Sequence, residues 1–208
     1  MLYDLHNDFS YIAYVKDRDA ENILGGRPSR GVAIFWRKNI SWNVSPVFVN
    51  DSVIGVDFVK NNKKYLLLNV YLPWYLQTVD SLDNYRSALA QLEIIIKEQN
   101  TNSAILVGDF NANPNKGRFW SELDSFCKTL SLRPLSDRLP PDTFTYLCPA
   151  KSTTSWLDHI LCTSHLSECV QDIFVEYSNA IYAHFPLCFI FPLVLRIIPK
   201  LYIRQKIL

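Results

Sequence analysis

Short apolar or alternating runs recur along the chain: YIAYV (11–15), GVAIFW (31–36), VSPVFV (44–49), SVIGVDF (52–58), YLLLNVYL (65–72), SAILVGDF (103–110), WLDHILC (156–162) and DIFVEY (172–177). A period of two, or a short solid apolar run, is what a strand needs to bury one face or both, so each run predicts a strand. Gly25-Gly26, Asn50-Asp51, Asn61-Asn62 and Asn113-Pro114 punctuate them and predict turns. Two stretches keep a helical period instead. In 81–99, Leu82, Tyr85, Leu89, Leu92 and Ile96 recur three or four apart, with Asp80 or Ser81 placed to accept from the first free N–H groups. In 117–131, Trp120, Leu123, Cys127 and Leu130 repeat the spacing and stop before Pro134. Strands with helices inserted between them predict a sheet-based domain whose helices cover sheet faces.

No repeat or Gly/Ser/Pro linker divides the 208 residues, and at 49% hydrophobic and 20% charged they suit one domain with a real core. The expected domain is 1–190, with 191–208 an apolar and basic tail. Residues 185–198, FPLCFIFPLVLRII, are apolar, but Pro186, Pro192 and Arg196 interrupt a run shorter than the roughly 18 residues of a spanning helix. A buried strand with an irregular tail is expected there, and no membrane anchor. The first twenty residues carry Asp4, Asp8, Asp17, Arg18 and Asp19, so no signal peptide is expected. Five cysteines, odd in number and without a CxxC pair, read as reduced thiols of an intracellular protein. Cys162, His165 and Cys169 have ligand-like spacing but no fourth ligand nearby, and read as chance neighbours. Lys and Arg number 21 against 20 Asp and Glu, so a charged partner must be met by a local patch.

The strongest local signal is AILVGDFNANP (104–114), an apolar strand ending in a carboxylate and an amide two residues apart. Strand alternation turns Asp109 and Asn111 to one side, where one can take a proton and the other orient an oxygen; a strand end turning through Asn-Pro is the plain alternative. Asp158 and His159, being adjacent on a strand, face opposite ways and cannot pair. Asp158 suits either orienting a distant histidine or accepting from backbone N–H groups, while His159 reads as a hydrogen-bonded interior residue. His184 stands at the mouth of an apolar run, and Tyr71 offers a hydroxyl donor or a packing ring. Arg27 and Arg30, with Arg37 and Lys38 beyond, would suit contacts to a phosphate backbone.

In this order the segments resemble the endonuclease/exonuclease/phosphatase superfamily, and more closely the endonuclease domain of non-LTR (LINE-type) retrotransposons. The residues that carry the resemblance are GGRPSRGVAIFWRKNI (25–40), VSPVFVNDSVIGVDF (44–58), LLLNVYLPW (66–74), AILVGDFNANP (104–114), DTFTY (142–146), STTSWLDHIL (152–161) and AHFPL (183–187). The resemblance implies an α+β fold, a four-layer αββα sandwich of the DNase I type, with the site at one end. It implies magnesium as cofactor, DNA as partner, no small-molecule cofactor, and hydrolysis of a phosphodiester by activated water to leave a nick. On that resemblance Asp109 orients or deprotonates the water, and Asn111 holds water and phosphate. Tyr71 donates to phosphate, Thr145 contacts substrate, and Asp158 with His184 forms a carboxylate–imidazole pair that donates to a phosphate oxygen.

Two departures accompany the matches. The family's metal-binding Glu sits in a Gln-Glu strand for which these residues hold no counterpart, so the expectation is a domain truncated by its first strand and helix, with no metal ligand assigned. The family's Ser-Asp-His reads Tyr182-Ala183-His184 here, which removes a carboxylate. Magnesium draws its affinity from one or two carboxylates, so impaired magnesium binding and nicking are expected. Missing strands would leave an unpaired sheet edge open to self-association. The alternatives are a non-catalytic remnant with residual DNA binding, and a phosphoesterase of the superfamily with another substrate.

Overall fold

The computed structural model describes residues 8–15, 31–74, 79–114, 116–148, 150–180 and 183–191. The centre is a six-stranded sheet of β3 (Asn43–Val49), β4 (Val53–Lys60), β5 (Lys63–Tyr71), β6 (Ala104–Asp109), β7 (Leu132–Pro134) and β10 (Asp158–Thr163), in the order β3-β4-β5-β6-β10-β7. β5 and β6 are parallel neighbours, joined through helix α1 (Val79–Glu98); the other ladders are antiparallel. A parallel pair needs such a crossover, which explains the helix at this point in the chain. The Asn61-Asn62 turn joins β4 to β5 with both φ angles positive (50° and 60°), and Asn tolerates that geometry better than other side chains.

Alternation splits the sheet into two apolar faces. Leu66, Leu68, Val70, Leu106 and Leu161 pack against α1 and helix α2 (Gly117–Thr129), through Tyr85, Leu89, Leu92, Phe119, Leu123 and Phe126. The opposite rows, among them Ile54, Val56, Leu67, Ile105, Val107 and Ile160, meet a second strand layer. That layer comprises β1 (Phe9–Val15) with β2 (Gly31–Arg37), and β11 (Asp172–Val175) with β12 (Leu187–Ile190), and it contributes Val32, Ile34, Ile173, Leu187 and Phe189. Asn69 crosses between the layers, its amide donating to the Ala33 carbonyl at 2.8 Å. The α+β sandwich expected from the sequence is this arrangement. On the side of the second strand layer, the helix among the described residues is the short α3 (Ser164–Cys169), whose Leu166 joins that core.

The eight expected strands and both long helices are present, and Leu187–Ile190 is the expected strand in the apolar C-terminal run. α1 begins at Val79, so Asp80 and Ser81 lie inside its first turn rather than before it; the Asp80 carboxylate there complements the helix dipole. Gly108 is required: at φ +134° a Cβ would stand 2.0 Å from the Val70 carbonyl oxygen of the parallel neighbour. All five cysteines are free thiols, and burial pushes Cys127 and Cys162 up to about 12. His165 bonds Ser103, and no metal-holding group includes Cys162, His165 or Cys169 among the described residues. No described helix is long and apolar enough to cross a membrane. Of the expected tail, residues 192–208 lie outside the described residues, as do Arg27, Arg30 and the Gly25-Gly26 turn.

Candidate active site

β5, β6 and the start of β10 come level at one end of the large sheet. Register pairs Tyr71 with Asp109 and Asp109 with Asp158. Paired residues share a face, so the three side chains continue the rows of Leu67, Val107 and Ile160 that meet the second strand layer. They mark the point where the apolar seam between the layers gives way to polar groups. Asp109 and Asp158 are both buried, Asp158 being only 2% exposed.

His184 reaches them from the loop before β12. That loop is tied to the short strand β8 (Tyr146–Cys148): Leu147 N–H donates to the Ala183 carbonyl and Phe185 N–H to the Thr145 carbonyl, both at 2.8 Å. Between these bonds Ala183 takes φ +70°, and His184 forms a single antiparallel bridge with Tyr146. The imidazole Nδ1–H donates to Asp158 Oδ2 at 2.9 Å, and Nε2 stands 4.0 Å from Asp109 Oδ2. The two alternatives for Asp158 are thereby resolved: one oxygen holds a distant histidine, and Oδ1 is buried with no protein partner.

Thr145, expected to contact substrate, is fully buried, and its hydroxyl accepts from the N–H groups of Leu157 (3.0 Å) and Asp158 (2.9 Å), so it positions the Asp158 strand. Trp156 adds an indole N–H to the Asp158 carbonyl at 3.0 Å. Sequence reasoning missed this support, although the hydroxyl lies in a strand-edge segment whose backbone groups need partners.

Asn111 leaves the strand at φ +51°. Its backbone N–H donates to Asp109 Oδ1 at 3.1 Å and its amide Nδ2 to the Leu72 carbonyl at 2.8 Å, while Leu72 N–H donates to the Asp109 carbonyl at 2.9 Å. The loops after β5 and β6 are thus locked together around Asp109, and one amide hydrogen of Asn111 is committed to the backbone. From the helical side, the buried Tyr85 hydroxyl donates to the Phe110 carbonyl at 2.9 Å and His159 Nε2–H to the Ala112 carbonyl at 2.6 Å. Desolvation raises Tyr85 well above its ordinary value, keeping it a donor, and lowers His159 to about 4. His159, expected to be structural, faces away from Asp158 and packs among Phe110, Trp120 and Trp156. Tyr85 read from the sequence only as a core position.

Tyr71 is half-buried on the Asp109 side, packed against the inter-sheet core. Arg37 ends β2 exposed, its guanidinium 5.5 Å above the Phe9 ring. Among the described residues one group could hold a metal ion: Asp109, Asp158 and His184, with one ligand atom each, all within 4.8 Å of one another. Carboxylate oxygens, one of them without a protein partner, suit a hard divalent cation that completes its shell with water and phosphate oxygens.

Similar folds are found among solved structures. The endonuclease domain of TRAS1, a telomere-specific non-LTR retrotransposon, superposes with a TM-score of 0.63 at 14% identity, over 84% of this chain and 77% of that one. The 3′ phosphatase NExo from Neisseria, bound to a product DNA hairpin, gives 0.66 at 15% identity, over 88% and 79%. An AP endonuclease from Archaeoglobus fulgidus gives 0.65 at 15% identity, over 89% and 80%. At such identities the likeness is one of fold. No curated relative matches the chain by sequence. The model of the Endonuclease/Exonuclease/phosphatase family matches residues 3–188, a span that takes in both carboxylates, His184 and both strand layers, and the chain belongs to that family.

Proposed function

We propose that this site hydrolyses phosphodiesters in DNA, as a metal-dependent endonuclease domain of the retrotransposon type. The observation that carries the reading is the Asp158–His184–Asp109 line at the end of the inter-sheet seam, with its 2.9 Å and 4.0 Å spacings. Asp109 and Asp158 would hold a divalent cation such as magnesium, which when bound offsets charge building on the phosphate. Asp109, level with Tyr71 and steadied by Asn111 N–H, is placed to take the proton of an attacking water. His184, fixed by Asp158 through Nδ1–H, acts as the imidazolium and donates Nε2–H to a phosphate oxygen, and the Tyr71 hydroxyl and the second Asn111 amide hydrogen add donors there. The fold likeness to nucleases, and to a 3′ phosphatase bound to a DNA hairpin, supports DNA as the substrate.

The reading includes a weakened reaction in this 208-residue polypeptide. The metal-holding group among the described residues contains no Glu, and Ala183 stands beside His184 where the resembling sequences carry Asp. With fewer carboxylates, cation affinity falls.

Nicking of supercoiled plasmid with Mg²⁺, against an EDTA control, tests both parts. Slow metal-dependent nicking that disappears in Asp109→Ala and His184→Ala is expected. Nicking that survives Asp109→Ala overturns the site, and fast nicking lost in both variants overturns the impairment alone.

A further inference from the structure

The described residues expose few large apolar side chains, and two of them lie on chain segments that frame the site: Trp74, 57% exposed, and Tyr177, 46% exposed. Trp74 follows Tyr71-Leu72-Pro73, and Leu72 is bonded on both sides, its N–H to the Asp109 carbonyl and its carbonyl to the Asn111 amide. The indole is therefore carried by the segment clamped to Asp109. Tyr177 belongs to the other flank. Its ring packs with Phe144 (4.9 Å between centroids) and Phe185 (5.3 Å), which themselves lie 5.5 Å apart. Phe144 N–H donates to the Tyr177 hydroxyl at 3.3 Å, which fixes the ring. Phe144 directly precedes Thr145, which positions Asp158, and Phe185 directly follows His184. One flank thus moves with Asp109 and the other with Asp158 and His184, and each ends in an exposed ring.

An exposed indole offers an apolar face to a ligand, and at a phosphodiester site the ligand group that fits it is a nucleobase, whose face stacks on any aromatic ring. A base inside a duplex has its faces taken by its neighbours. Duplex affinity without base contacts comes from neutralising phosphates, and with 21 basic against 20 acidic residues this chain carries no general positive field and would have to supply that affinity from a local patch alone.

We propose that Trp74 and the Tyr177–Phe144–Phe185 cluster form an aromatic rim that binds unstacked bases, so that the site takes single-stranded or locally unpaired DNA in preference to an intact duplex. The inference rests on the reading of the site as a DNA phosphodiesterase and names its substrate class. Trp74 acts as a specificity-determining residue.

The test is equilibrium binding, by fluorescence anisotropy, of a fluorescein-labelled mixed-sequence DNA dodecamer as a single strand and as a blunt duplex, with EDTA present so that no hydrolysis intervenes. The single strand is expected to bind tighter. Trp74→Ala is expected to weaken it by about tenfold, in line with the loss of one stacked base, and Trp74→Phe to retain most of the affinity. Trp74 is exposed, so its variants leave the core intact; far-UV circular dichroism confirms it. Duplex bound as tightly as single strand, or equal losses on both in Trp74→Ala, overturns the rim while leaving the DNA reading in place. Binding of neither form by folded protein overturns the DNA reading and the rim together.

Discussion

Asp109 and Asp158 face each other as direct antiparallel partners at the ends of β6 and β10, and the His184 imidazole is what makes that pairing tolerable. Like charges directly opposite on a sheet are destabilising, and both groups are buried. The imidazole engages Asp158 at 2.9 Å and turns its other nitrogen toward Asp109. Stability and reactivity are coupled here: the same burial that makes the carboxylates costly keeps them fixed and poorly solvated, which suits work on a phosphate.

A double-mutant cycle on Asp158→Ala and His184→Ala measures this relationship without requiring turnover. Removing either partner strands the other in a buried setting, whereas removing both does not. The coupling free energy from urea unfolding is expected at about 1–3 kcal/mol. Additive losses would mean that the 2.9 Å bond contributes nothing in solution.

Thr145 yields a sharper contrast. Its hydroxyl is the acceptor for two backbone N–H groups, those of Leu157 and Asp158. Thr145→Val keeps the shape and abandons both donors, so a loss of about 2–4 kcal/mol is expected, while Thr145→Ser stays within about 1 kcal/mol. Equal stabilities for the Val and Ser variants by urea titration would refute the role.

How much of this was legible beforehand depends on the range of each interaction. The long strands and helices follow from periodicity within one segment; Asp109 and His184 stood out as polar residues at the end or mouth of an apolar run, and Asp158 as a carboxylate inside one. Their convergence was legible only through the resemblance, since it depends on the β6–β10 register and on the bridge to Tyr146, which no local pattern encodes. The three-residue strands β7, β8 and β9 (Thr153–Ser155) are too short to carry a period. The backbone bonds of Thr145 were not legible either, because a resemblance transfers residue identity and not side-chain direction. Tyr85 and His159 show the same limit: a core position on a helix or strand can also end in a hydrogen bond to the site loop.

Ala183 separates chemistry from backbone. Where the resembling sequences have Asp, this chain has a methyl group, yet the backbone holds φ +70°, a region in which Asp is tolerated and Ala is strained. Ala183→Gly is therefore expected to raise stability by about 0.5–1 kcal/mol despite the entropy that Gly adds to the unfolded chain, and Ala183→Val to lower it by about 1–2 kcal/mol. Thermal or urea unfolding that ranks Val above Gly would refute the strained turn.

His159 predicts how the fold responds to acid. Burial among Phe110, Trp120 and Trp156 lowers its pKa from 6.5 to about 4, and its Nδ1 is buried with no partner to accept a stabilising interaction. The native state therefore keeps the ring neutral while the unfolded chain protonates it near 6.5. Above that pH neither state binds the proton and the contribution to stability is complete. As pH falls through the interval between about 6.5 and about 4 the unfolded state gains the proton first, and the contribution declines by about 3 kcal/mol in total before levelling off. Carboxylates titrate over part of the same range, so the comparison must be with a variant that keeps the donor to the Ala112 carbonyl but cannot titrate. His159→Gln meets both conditions. Urea stabilities of wild type and His159→Gln, followed across that interval, should converge or cross as pH falls, the wild type losing more. Parallel profiles would mean that the ring takes up its proton alike in the native and unfolded states, and the burial argument would then fail.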